Sequence, residues 1–328
     1  ARDLRTLFKQ QILYTWAKSI IMKITKLNHI EYYPESLRKS LQTLGDYVEY
    51  DDIPDSQTAA SRLAETDIGI VEWSVNVDRA LLEAARPRLK HIIAPLADYS
   101  HIDCLAAKEF DISVSNCPGA TTIAVAEHLF TLLGGVSRQI VLSDQLVREG
   151  KRDFYEPFMH MELHGKTLGI LGLGDIGCHS ANIGKAFNME IIAHNRSPRE
   201  QAGVRMVDMK TLFTESDALF ITASSHPENN GLVSKEMLSL LKPSAYVISI
   251  AMPGITDEQA LFDLLEHGRI KGAGYDMISE DSPLVKSNRT LLSPGIAWLT
   301  EECLERLFDT VYRNVKSCVD GSPINTVT

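Results

Sequence analysis

TLGILGLGDIG, residues 167–177, is the stretch on which the fold turns. Thr167–Leu171 has the apolar run of a buried strand, and Gly172, Gly174 and Gly177 follow it in G-x-G-x-x-G spacing, with a helix opening near Asp175. The three glycines serve different needs, namely a tight turn, close approach of backbone to a pyrophosphate, and tight helix–strand contact. Phosphates would sit on the free N–H groups of the helix start, beside Asp175 and Ile176. Taken alone the spacing is weak, because glycines also mark plain turns. Here the strand before it, the helix after it and a second strand ending at Asn195 supply the required context. The stretch predicts a dinucleotide site.

The end of that second strand separates the two nicotinamide dinucleotides. Sites for NAD(H) place an acid there to bind the ribose 2′-hydroxyl. This chain has HNRSPR, residues 194–199. Asn195 is neutral, while Arg196, Ser197 and Arg199 suit a 2′-phosphate through charge-assisted hydrogen bonds. The bland reading is a basic, solvated loop. Its place where the ribose must arrive favours NADP(H) over NAD(H).

Outward from this motif, strands alternate with helices in both directions. Ile24–Leu27, Asp67–Val71 and Leu89–Pro95 read as strands before it. Glu190–His194, Asp217–Thr222, Ala245–Ile250 and Gly272–Tyr275 read as strands after it. Pro34–Leu44, Asp55–Leu63, Asp78–Ala85, one long pattern from Ala124 to Arg148, and Asp257–Leu265 with Asp257 as cap read as helices. Such alternation predicts an α/β protein of two Rossmann-like, doubly wound parallel-sheet domains. A length of 328 residues fits two domains.

Composition excludes several classes. A formal charge of -10 argues against a nucleic-acid footprint, and no apolar run reaches the roughly 18 residues a membrane span requires. Five scattered cysteines without a C-x-x-C pair fit reduced thiols and a cytoplasmic location. Residues 1–21 are basic and pattern as an amphipathic helix; Met22 followed by KITKL reads as a chain start, so 1–21 reads as an N-terminal extension. His160 and His164 have i, i+4 spacing, but Gly165 and the strand after it put them in a short lead-in, so they read as surface residues and no metal site is expected.

Several stretches together resemble the D-isomer-specific 2-hydroxyacid dehydrogenases, especially their hydroxypyruvate and glycerate branch. They are DYSHIDCLAAKEF (98–110), NCPGATTIAVAEH (116–128), HGKTLGILGLGDIG (164–177), GITDEQAL (254–261), GRIKGAGYDM (268–277) and PGIAW (294–298). The resemblance implies a discontinuous substrate domain, 22–123 plus 298–328, around a cofactor domain, 124–297, and a homodimer built through helices such as 124–148. It places Ala223, Ser224, Ile250, Ala251, Met252, Asp276 and Gly295 toward the cofactor, with Ser225 and His226 on the same loop as Ser224. Asp276 would hydrogen-bond the nicotinamide carboxamide.

The family's chemistry uses an arginine that clamps the substrate carboxylate, a histidine that protonates the carbonyl oxygen, and an acid that orients the histidine. In this chain those positions fall on Met252, Gly295 and Asp281. The turn LSPGIAWLTEE, residues 292–302, thus has the place of an active-site turn without its acid, and Trp298 remains to wall a pocket. Asp98, Tyr99 and His101 are the substitutes on offer. Tyr99 and His101 read better as structural; Asp98 could pair with a cationic ligand, or be a solvated loop acid. If catalysis survives, an open pocket lined by Trp298, Met252 and Tyr99 is expected, with Asp98 and Asp281 near its rim. The expected function is an NADP(H)-binding oxidoreductase with a small-molecule substrate other than a simple 2-keto acid, such as an imine or an activated C=C bond. The alternative is a catalytically inactive homologue serving as sensor or scaffold.

Overall fold

The computed structural model describes residues 21–151, 160–197, 199–224 and 227–328. The amphipathic reading of 1–21 therefore falls, Ile21 apart, outside the described residues, as do Ser225 and His226. The chain divides into two compact units, residues 1–120 with 301–328 and residues 121–300.

The first unit carries a five-stranded sheet in the order β2-β1-β3-β4-β5, from Asp46–Glu49, Lys23–Lys26, Ile68–Ile70, His91–Ile93 and Ser113–Ser115. Every pairing is parallel. Aspartates cap three of its helices: Asp55 accepts from the N–H of Thr58, Asp78 from that of Leu81, and Asp103 from that of Ala106. An aspartate in these places satisfies an N–H group that the first helical turn leaves unpaired. Leu27, Leu63, Leu82, Leu89, Ile92 and Val114 fill the core on one face of this sheet.

The second unit carries seven parallel strands in the order β12-β11-β10-β9-β6-β7-β8. They are β6 Thr167–Leu171, β7 Glu190–His194, β8 Arg205–Met206, β9 Ala218–Ile221, β10 Tyr246–Ser249, β11 Gly272–Tyr275 and β12 Thr290–Leu292. Alternate residues of one strand feed opposite cores: Leu219 and Ile221 of β9 join one, Ala218 and Phe220 the other. Both faces are covered, which is why these strands read as continuous apolar runs. The strand order reverses between β6 and β9, and the crevice at such a reversal, beyond the carboxyl ends of the strands, is where open α/β sheets hold ligands. The glycine loop begins there.

One expectation fails. The helix expected from Ala124 to Arg148 is two helices, Thr122–Ser137 and Ile140–Arg148, broken at Gln139, whose φ is 47°. The first is buried on most sides, with Ala126, Leu129 and Leu133 at 0% exposure, whereas the second buries none of its residues. Apolar periodicity runs on across the break, and neither glycine nor proline announces it.

Candidate active site

The glycine loop is built as its sequence requires. The N–H of Gly172 donates to the carbonyl of His194 at 3.0 Å, and the Thr222 hydroxyl donates to the carbonyl of Gly172 at 2.6 Å. Gly172 has φ +102°, and a Cβ there would lie 2.8 Å from the backbone nitrogen of Ala223. A Cβ at Gly177 would collide with the carbonyl oxygen of Gly172. Gly174 differs: it has an ordinary φ of -76°, and a Cβ on it would meet nothing within 4 Å. No side chain caps the helix Asp175–Ala186 that it opens. A helix start with open space before its N–H groups fits a dinucleotide pyrophosphate. Gly172, Gly174, Asp175, Ile176 and Gly177 are the residues that would hold it, and the hydride chemistry would be the dinucleotide's own.

The next loop shows what its polar groups already hold. Asn195 accepts from the N–H of Leu173 at 3.2 Å and donates to the carbonyl of Ser197 at 2.8 Å, so it ties the end of β7 to the glycine loop. Arg196 pairs with Glu228, and Arg199 with Asp175 at 3.2 Å. All four of those side chains remain well exposed. Ser197 is exposed as well. The two arginines stand at the loop where the sequence put a 2′-phosphate, but each has a carboxylate partner.

The turn after β12 answers to Asp276. This residue follows β11 and is 4% exposed. One carboxylate oxygen accepts from the Ser293 hydroxyl at 2.6 Å and from the N–H of Ile296 at 3.0 Å; the other accepts from the N–H of Ala297 at 3.1 Å. The N–H of Gly295 donates to the Asp276 carbonyl at 2.7 Å. Burial pushes the Asp276 carboxyl up, but His128, 3.5 Å away, and hydrogen bonds from Ser293 and Ala297 outweigh it and hold the group below the usual carboxylate value. A turn with no acid of its own is therefore organised by a buried carboxylate.

Within that frame, Gly295 has φ +75° and Met252 is 42% exposed. Ala251 is buried, its N–H donating to the Ser249 hydroxyl at 3.1 Å, while Ile250 and Trp298 are half-buried. Asp281 is exposed. The loop leading to it is fixed by Glu258, 8% exposed, which accepts from the N–H of Ser279 at 3.1 Å and from its hydroxyl at 3.1 Å. Ala223 and Ser224 continue β9 beside the glycine loop.

In the first unit, Asp98, Tyr99 and His101 lie on the loop after β4. Asp98 accepts from the N–H of Ser100 at 2.9 Å and from its hydroxyl at 3.1 Å, a local turn of the kind short acids make. His101 Nε2 lies 3.2 Å from the Val71 carbonyl, so Nε2 carries the proton, and burial lowers the imidazole pKa. These three bonds hold the loop. Tyr99 is 36% exposed.

Sequence reasoning missed His128, Ser293 and Glu258. The stretch NCPGATTIAVAEH ends in His128, but nothing in its spacing shows that helix Thr122–Ser137 would bring it 2.9 Å from Ser293. His160 and His164 are exposed and line a cavity of about 440 Å³ with Lys166, Asp217 and Lys271, at the end of the sheet opposite the glycine loop. Among the described residues no group of three or more His, Cys, Asp or Glu is placed to hold a metal ion. No described helix is long and apolar enough to cross a membrane.

Comparison with known proteins adds the following. Residues 130–297 match the family described as D-isomer specific 2-hydroxyacid dehydrogenase, NAD binding domain. A hydroxypyruvate reductase of Blautia hydrogenotrophica is 29% identical over 323 residues, covering 93% of this chain and 99% of its own. A glyoxylate reductase of Thermococcus litoralis is 34% identical, covering 81% of this chain and 85% of its own. Among solved structures, an acyclic imino acid reductase in complex with NADPH and D-Arg is 35% identical with a TM-score of 0.89, covering 94% of this chain and 100% of that one.

Proposed function

The chain belongs to the D-isomer-specific 2-hydroxyacid dehydrogenase family, and on that footing we propose that it is an NADP(H)-dependent oxidoreductase acting on an imine rather than a simple 2-keto acid. The observation that carries this reading is the contrast between two sets of positions. The glycine loop has the backbone shape and open space a dinucleotide needs, and Asp276 holds the amides of the 294–298 turn, whereas the positions for a carboxylate clamp and a general acid hold Met252 and Gly295.

Reduction of a ketone needs a proton for the oxygen as hydride reaches the carbon, and losing the general acid costs on the order of 10²–10⁴ in rate. A protonated imine already carries its proton on nitrogen. Hydride delivery to its carbon then gives a neutral amine with no further proton transfer in that step. A cationic reactant is stabilised by a nearby carboxylate, a role we assign to Asp281 or Asp98, rather than by an arginine. The solved relative whose description names imino acid reduction, NADPH and D-Arg supports this reading.

The loop Asn195, Arg196, Ser197 and Arg199 supports NADP(H) over NAD(H), because it offers two cations and no acid of its own to the ribose. We assign substrate binding to 22–123 plus 298–328 and cofactor binding to 124–297. The helix Ile140–Arg148, with Ile140 58%, Val141 51% and Val147 47% exposed and no residue buried, supports a homodimer through this face. Sedimentation of the protein should then give twice the chain mass. No disulfide joins the five cysteines, which fits the cytoplasm.

The activity test follows NADPH consumption with glyoxylate or pyruvate, with and without ammonia or methylamine. Consumption that requires the amine supports imine reduction. No consumption with any pair, together with tight NADPH binding, supports the inactive homologue instead.

A further inference from the structure

His128 is held where it is by the packing of glycine against helix. A Cβ at Gly272 would lie 2.8 Å from Val136 Cγ2, and one at Gly274 would lie 3.0 Å from Leu132 Cβ. Lacking those carbons, β11 lets the helix Thr122–Ser137 lie close on the sheet. The helix thereby delivers His128, in its second turn, to the ends of β11 and β12. There Nε2 lies 2.9 Å from the Ser293 hydroxyl and 3.5 Å from an oxygen of Asp276.

The direction of this chain of bonds follows from counting protons. A hydroxyl has one hydrogen to give and two lone pairs. Ser293 stands 2.6 Å from Asp276, an ionised carboxylate that can only accept, so the serine proton points there. Toward His128 the serine oxygen must therefore accept, and His128 Nε2 must carry a hydrogen. The Asp276 oxygen that receives the serine proton also receives the N–H of Ile296, while the second oxygen receives that of Ala297. One imidazole N–H on a helix is thus linked through a serine and a carboxylate to two backbone amides of the turn that bears Gly295.

We propose that His128 is a positioning residue for the nicotinamide end of the cofactor, acting through Ser293 to orient Asp276 and the 294–298 turn. The inference rests on the NADP(H) reading and on the nicotinamide-facing role given to Asp276. It adds a residue that acts through Ser293. What His128 contributes is an N–H donor in a fixed place.

Binding measurements on the full chain test it with two ligands: NADPH, and adenosine 2′,5′-bisphosphate, which has the 2′-phosphate end and no nicotinamide. Two variants are compared, His128→Phe, which keeps a ring without a donor, and His128→Gln, whose side-chain amide can place an N–H near Nε2. Loss of one net hydrogen bond to a polar network predicts that His128→Phe weakens NADPH about threefold to tenfold. The bisphosphate should bind this variant as it binds the wild type, and His128→Gln should recover NADPH binding to within about threefold of wild type. Equal weakening of both ligands in His128→Phe would overturn the proposal, since a merely loosened fold would do that. So would unchanged NADPH binding in His128→Phe, or a glutamine variant as weak as the phenylalanine one. A wild-type protein that binds neither ligand would overturn the cofactor reading and the proposal with it. Wild-type binding unaffected by His128→Phe removes only the proposal.

Discussion

Replacing Arg196 with alanine tests the cofactor preference, and the structure sets the size of the effect. A hydrogen bond from a guanidinium to a phosphate contributes about 1.5–3 kcal/mol. In the folded chain, however, Arg196 already pairs with Glu228, with the two side chains 63% and 65% exposed. A pair exposed to that extent is worth about 0.2–1 kcal/mol, and it must be given up before the arginine can serve a phosphate. The net contribution of Arg196 to NADPH binding is then about 0.5–2.8 kcal/mol, or about twofold to a hundredfold in Kd. The same arithmetic makes a second prediction. Glu228→Gln frees the arginine and removes a negative charge, so NADPH should bind about 1.4- to 5-fold more tightly. NADH, which has no 2′-phosphate, should be insensitive to both changes. Calorimetric titration of both cofactors into the wild type, the two single variants and the double variant gives all four corners of the cycle. In the Arg196→Ala background Glu228→Gln should lose most of its effect. Equal weakening of NADPH and NADH by Arg196→Ala would refute the reasoning, as would a Glu228→Gln variant that binds NADPH less tightly than wild type.

The glycine loop allows a separation of fold from binding. Gly174→Ala puts its methyl into open space at an ordinary φ, so stability should change by less than about 1 kcal/mol while NADPH binding, measured by titration, is lost. Gly172→Ala, strained at φ +102° and pressed against the Ala223 backbone, should instead lower the free energy of unfolding by at least the about 1–2 kcal/mol that a left-handed L residue costs. For the same reason Gly295→His, at φ +75°, should destabilise by about 1–2 kcal/mol and should not confer glyoxylate reduction while Met252 remains; a fully stable variant with that activity would contradict the account. Burial depresses the pKa of both His91 and His101 below the ordinary 6.5. The unfolded chain then takes up these protons more readily than the folded one, so their contribution to stability is complete above about pH 6.5 and is lost as pH falls through their lower folded values. Denaturant midpoints should fall from pH 7 to pH 5, and the double variant His91→Asn, His101→Gln should flatten that slope; an unchanged slope would refute the assignment.

The fold was legible wherever burial on both sheet faces forces continuous apolar runs. β6, β7 and β11 were bounded correctly from Thr167–Leu171, Glu190–His194 and Gly272–Tyr275. Strands at sheet edges were not, because one flank of an edge strand faces solvent and its sequence need not be apolar: β2 is DYVE, with no buried residue, and β8 is only Arg205–Met206, both exposed. Helix starts showed through their caps, Asp257 accepting from the N–H of Ala260 as its position suggested. The break at Gln139 did not show, since a left-handed glutamine leaves no compositional trace. In the candidate site, Gly172 and Gly177 were legible because only glycine can take their places. Residues that act through long-range hydrogen bonds were not. Asp276 and Ser293 are 17 positions apart and His128 is 165 from Ser293, and no local pattern encodes such a meeting. The Arg196–Glu228 pair spans 32 positions and escaped notice for the same reason.

The claim at the centre of this account is that Met252 and Gly295 mark a change of substrate from carbonyl to imine. Steady-state oxidation of NADPH by the purified protein at neutral pH, with pyruvate or glyoxylate present and methylamine either supplied or withheld, tests it most directly. Imine reduction predicts turnover that appears only with the amine, rises with the concentration of the imine formed, and yields the N-methyl amino acid by mass spectrometry. Turnover in the ordinary range of roughly 1–10³ s⁻¹ on the keto acid alone, giving the 2-hydroxy acid, would contradict it.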